Sequence, residues 1–217
     1  MHNIEFEING KELHIKDYPN AIKVARIDSP KSVELRNLVL HMHDLQLAFD
    51  FLNLINSTKD EKIRTGLWYV SVTLYFKCFT NSSARKMLSP SKVYKECKDA
   101  LPAFNYFKAL RDKHLVHDEN AYAQAFVGLI VNSPGSECKI ADVLSGTIIS
   151  ETLDQSHWSS FYNLVKYALE WVGKRREDLH FALAKEYEKL EYEEIINLEN
   201  VNFTVPTTDK AFKSRNL

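Results

Sequence analysis

Residues 29–53 read SPKSVELRNLVLHMHDLQLAFDFLN, and this stretch decides the fold class. Leu35, Leu38, Met42, Leu45, Phe49 and Leu52 recur at alternating spacings of three and four, which lays them along one side of an α-helix. Ser29 and Pro30 supply an N-cap and a first-turn proline, where the missing N–H costs little.

Downstream, a second helix is expected from Thr58 to Asp60 onward, burying Ile63, Leu67, Val70 and Leu74. Its core, TGLWYVSVTLYFKCF (65–79), is apolar nearly all round, so neighbours must cover both sides. The β-branched and aromatic content also permits a strand, but the length and the charged DEKIR lead-in favour helix. Ser89-Pro90 marks another start, with Val93, Cys97, Phe104, Phe107 and Leu110 on a stripe that Pro102 kinks or breaks. From 125 to 150 the texture becomes β-like: FVGLIV, the turn Asn132-Ser133-Pro134-Gly135, then CKIADVL and TIIS. A long helix follows from about Thr152, carrying Trp158, Phe161, Val165, Ala168 and Val172, with Gly173 a place for a bend. Upstream, Ile4, Phe6 and Ile8 alternate before Asn9-Gly10, which suits a type I′ turn, and Leu13 and Ile15 alternate after it.

The expected fold is mainly α: an up-and-down four-helix bundle with small β-hairpin appendages. Residues 1–28 form the first appendage, 29–196 the bundle with a hairpin inserted near 125–150, and 197–217 an irregular tail. The alternative is an α+β domain with both hairpins in a single sheet.

Composition excludes more than it identifies. A formal net charge of -1 demands no polyanionic partner, so any nucleic-acid contact must be local. The first residues lack the basic start and apolar run of a secretory signal, and the stretch Leu67 to Phe79 is too short to span a bilayer. Cys78, Cys97 and Cys138 fit neither a disulfide framework nor a zinc ribbon, and read as reduced thiols in the cytoplasm. A nucleophilic cysteine would need a basic partner nearby in space. His41 and His43, two apart on a helix, diverge by about 200° and make a poor joint metal site. HExxH, CxxC, GxxxxGK and GxGxxG are all absent, so neither metal nor cofactor is expected. The tryptophans and most other aromatics fall on helical stripes and are read as core.

Chemistry concentrates at the end of the Leu110 stripe, in FKALRDKHLVHDENAY. On a regular helix Arg111, His114 and Asp118 share a face, with His117 about 60° round from it. Arginine offers a planar fork for phosphate oxygens, and histidine titrates near neutral pH. Between Arg85 and His117, eight basic residues face three acidic ones, which would steer a phosphate toward the cluster or simply solvate a helix face. A non-catalytic reading also exists: Arg111 paired with Asp118, and His114 and His117 favoured by the helix C-terminal dipole.

The segment RDKHLVH, with five residues between Arg111 and His117, resembles the Rx4-6H motif of the HEPN superfamily, and LRDKHLVHDEN looks particularly like abortive-infection and uncharacterised bacterial members. The resemblance implies a helical bundle and a metal-independent endoribonuclease whose groove forms where two protomers meet, acting as toxin or defence effector. On that reading Arg111 contacts the phosphate, Asp112 is the polar residue after it, and His117 is the acid–base group with His114 in reserve. Lys108, Lys113 and Asn120 are the candidate substrate-binding residues. The partners expected are RNA, a second copy of the chain, and an antitoxin or other protein; no membrane is expected. The alternative is a catalytically inactive HEPN-like interaction module that binds a protein partner.

Overall fold

The computed structural model describes residues 6–9, 12–15, 18, 20–97, 99–117, 119–202 and 207–212. In chain order these form β1 (Phe6–Asn9), β2 (Glu12–Ile15), α1 (Pro30–Ser57), α2 (Glu61–Lys77), α3 (Pro90–Val93) and α4 (Ala100–Leu110). A π-helical turn (Arg111–Leu115), β3 (Ala123–Val131), β4 (Ile140–Ile149), α5 (Gln155–Tyr187), α6 (Tyr192–Ile196) and a final 3-10 turn (Thr208–Phe212) complete it. The protein is mostly helical, as expected. The strands make two separate antiparallel pairs, β1 with β2 and β3 with β4, rather than a single sheet. Phe6 pairs with Ile15 and Asn9 with Glu12. The type I′ turn expected at Asn9-Gly10 lies outside the described residues. Among the described residues no helix is long and apolar enough to cross a membrane.

The chain divides into two compact units. The first comprises Met1–His43, Asn81–Met87 and Trp171–Leu217. Here Ser29 and Ser32 cap the start of α1 reciprocally: the Ser32 N–H donates to Ser29 Oγ (3.2 Å) and the Ser29 N–H to Ser32 Oγ (2.8 Å). Arg175 grips Glu34 with two bonds (2.8 and 3.0 Å), which hold the guanidinium pKa above its usual value. His41 is buried and its Nε2 meets the Lys86 carbonyl at 2.9 Å, so this histidine ties the 81–87 loop to α1.

The second unit comprises Asp44–Thr80 and Leu88–Glu170. Asp60 caps α2, its Oδ1 accepting from Lys62 and Ile63 N–H groups (2.9 and 3.1 Å). The buried stripe of α2 differs from the expected one: Trp68, Ser71, Val72, Tyr75 and Phe76 face the core, while Ile63 and Val70 are exposed. Both stripes have helical spacing, but the aromatic one removes more apolar area from water. Phe161 of α5, fully buried, meets Trp68 at 5.2 Å, Tyr75 at 5.1 Å and Phe107 at 5.0 Å between ring centroids. The buried Tyr75 and Tyr94 hydroxyls bond each other, and Tyr94 donates onward to the Leu164 carbonyl (3.0 Å). The break expected near Pro102 falls between α3 and α4, and Pro102 itself sits in the first turn of α4, where no intrahelical partner for its nitrogen is required.

Candidate functional site

Phe107 and Leu110, both buried, anchor the end of α4, and the next residues leave the α-helical path. Arg111–Leu115 form a π-turn in which Val116 N–H donates to the Arg111 carbonyl (3.0 Å), an i to i+5 bond. Such turns hold one more residue than an α-turn and are frequent at functional positions. The wide turn replaces the regular helix assumed for the spacing of Arg111, His114 and His117, so those residues no longer keep 100° steps around one axis.

Arg111 is about three-quarters buried along its side chain, and its guanidinium bonds the Asp112 carboxylate and reaches Thr80 Oγ1 at 3.5 Å. Arg111 thus takes Asp112 as its ion-pair partner; the alternative partner, Asp118, lies outside the described residues. His114 points inward: it is 8% exposed, neither ring nitrogen has a hydrogen-bond partner among the described residues, and its ring stands edge-on to Tyr122 at 5.3 Å. His117, beyond the turn, is exposed, as are Lys108 and Lys113. Asn120 is half-buried and spends its Oδ1 on the Tyr122 N–H (3.1 Å), a local turn bond. Of the residues expected to steer phosphate, Lys92 and Lys95 are exposed but Arg85 is buried.

The sequence reading missed the aromatic neighbours of this segment. Tyr106 stacks on His157 at 5.2 Å, and its hydroxyl meets His157 Nε2 at 2.8 Å. His157 Nδ1 lies 2.5 Å from Asp154 Oδ2, whose other oxygen accepts the Ser156 and His157 N–H groups at 2.8 Å each. The imidazole thus bonds the phenol through Nε2, while its Nδ1 stands beside the Asp154 carboxylate without hydrogen-bond geometry. Asp154 titrates below its usual range, chiefly because it accepts the His157 backbone N–H. Burial, then the neighbouring Tyr122 hydroxyl and the Asp154 charge, push the Tyr106 phenol up to about 12. Asp154 followed three residues later by His157 was a readable helix start; Tyr106, 51 residues before its partner, left no local signal.

A pocket of about 680 Å³ opens between α2 and the segment leading into α5, lined by Glu61, Arg64, Trp68, Tyr69, Thr152 and Asp154 among others. None of the described residues from Arg111 to Asn120 lines it. Among the described residues no three His, Cys, Asp or Glu side chains converge as a metal site would need. No protein-family model, curated protein or solved structure gives a significant match to the chain.

Proposed function

We propose that this protein is a metal-independent endoribonuclease of HEPN type, built on an up-and-down four-helix bundle and acting in the cytoplasm as a toxin or defence effector. One observation carries the reading: a π-turn at the end of α4 holds Arg111 by its Asp112 and Thr80 contacts and is followed at once by the exposed His117. Arg111 then meets the non-bridging phosphate oxygens, and Asp112 and Thr80 orient its guanidinium. His117 takes the proton of a ribose 2′-hydroxyl, the 2′-oxygen attacks the adjacent phosphorus, and the bond to the 5′-oxygen breaks as that oxygen gains a proton. The products are a 2′,3′-cyclic phosphate and a 5′-hydroxyl. Lys108 and Lys113 remain free in solvent to meet flanking phosphates.

The test is cleavage of RNA in the presence of a chelator by the wild type, Arg111→Ala and His117→Ala. Each substitution should lower the rate by about 100-fold or more, as losses of a positioned acid–base group or charge-stabilising donor do. Unchanged cleavage in either variant defeats the assignment. The ion pair with Asp112 favours a second reading, in which a neutralised Arg111 is structural and the chain is an inactive module that binds an antitoxin or other protein. Wild-type protein that leaves RNA intact while binding such a partner selects it.

A further inference from the structure

Strands β3 and β4 form a two-stranded ribbon in which every residue except Ala123 and Gly146 is exposed. The register places Val127 opposite Ser145, and Leu129 opposite Val143, on one face. Ile130 sits opposite Asp142 on the other, where Phe126 lies over Gly146 so closely that a Cβ there would stand 2.7 Å from the ring. Apolar side chains crowd both faces: Val127 is 76% exposed and Val131 70% on the first, and Ile148 57% and Leu144 51% on the second. Asp142 is the one charged residue on either strand. An antiparallel pair normally turns a polar face to water, and a lone hairpin is marginally stable there. The strands also lack the lysines and prolines that usually guard an open edge.

We infer that this ribbon is an arm by which two copies of the chain join. A polyanion or an acidic lipid surface would find no basic residue on either strand, whereas a second apolar ribbon matches it in chemistry and in free strand edges. A two-fold axis lets one such patch serve both copies. Area supports the same occupant. The face bearing Val127, Leu129, Val131, Ile140, Val143 and Ile149 exposes about 100 Å² per side chain, or roughly 600 Å² per copy and 1,200 Å² for a pair, the lower bound of specific interfaces. The opposite face, with Phe126, Ile130, Leu144 and Ile148, adds to this if the ribbon wraps its partner.

The root of the arm is the candidate site. Ser150 N–H donates to the Tyr122 carbonyl (2.7 Å) and closes the ribbon, and the Tyr122 ring packs against His114. Pairing of arms therefore fixes where one copy's Arg111 segment stands relative to the other's. The inference does not depend on RNA cleavage and is read out separately from it.

The test is sedimentation of the full chain from about 1 to about 100 μM, for wild type and for the double variant Leu129→Lys, Val143→Lys. Wild type should be dimeric in the upper part of that range, and the double variant monomeric with Kd raised about 100-fold or more and its helical circular dichroism retained. Hydrogen exchange on the wild type guards against a variant that fails to fold: amides from Ala123 to Ile149 should exchange more slowly at the higher concentration. The inference is overturned by a monomeric wild type throughout, by a folded double variant that still dimerises, by concentration-independent exchange of the ribbon, or by a monomer whose ribbon is captured by neutral lipid vesicles.

Discussion

Replacing His114 with leucine should make the protein more stable. The imidazole is 8% exposed, and both of its nitrogens lack hydrogen-bond partners among the described residues. A buried polar group without a partner costs about 1–3 kcal/mol, and a leucine of similar volume keeps the contact with Tyr122 while removing that cost. Imperfect packing of the branched side chain offsets part of the gain, leaving a stabilisation of about 1–2 kcal/mol. At about 2–4 °C per kcal/mol for a chain of this size, the thermal midpoint should rise by about 2–8 °C. Thermal melts followed at 222 nm, with urea denaturation as a second measure, read the change directly. Destabilisation of more than about 1 kcal/mol would refute the reasoning, because it would mean that the nitrogens are satisfied in solution. The same variant sorts the two histidines. Under the proposed assignment of the acid–base role to His117, His114→Leu should cleave RNA at close to the wild-type rate; a more stable protein that has lost cleavage would transfer the role to His114.

Phe161→Ala should cost about 3–5 kcal/mol in urea denaturation, since it empties a fully buried ring site against Trp68, Tyr75 and Phe107, and a loss below about 2 kcal/mol would show that the cluster can close over the gap. Because the folded state lowers the Asp154 pKa, its stabilising contribution is full above about pH 4 and is lost as pH falls through the lowered value. The midpoint difference between wild type and Asp154→Ala should therefore shrink on acidification, and a pH-independent difference would show that the carboxylate charge contributes nothing.

The helices were legible because their signals are local. The three-and-four rhythm of α1, its Ser29-Pro30 start and the Asp60 cap each need only a few neighbouring residues, as does the turn around Gly135, whose φ of 93° suits glycine. The buried face of α2 was not legible. Its sequence offers two apolar stripes, and the choice between Ile63/Val70 and Trp68/Tyr75 is made by Phe161 and Phe107, far along the chain. Apolar texture likewise could not distinguish a core strand from an exposed arm in β3, because both read as unbroken hydrophobic runs. At the candidate site the residue types were visible, but the opposite environments of His114 and His117 follow from a single i to i+5 bond that composition does not encode.

That bond has a further consequence for insertions and deletions. With one residue fewer between Arg111 and Val116 the segment can close as an ordinary α-turn, and with the present number it closes as the wider one. In both cases Phe107 and Leu110 stay seated and Arg111 leaves α4 at the same point. A shortened spacer should thus change where His117 emerges while leaving the arginine anchored, which makes the turn the place where this protein can absorb a change of length.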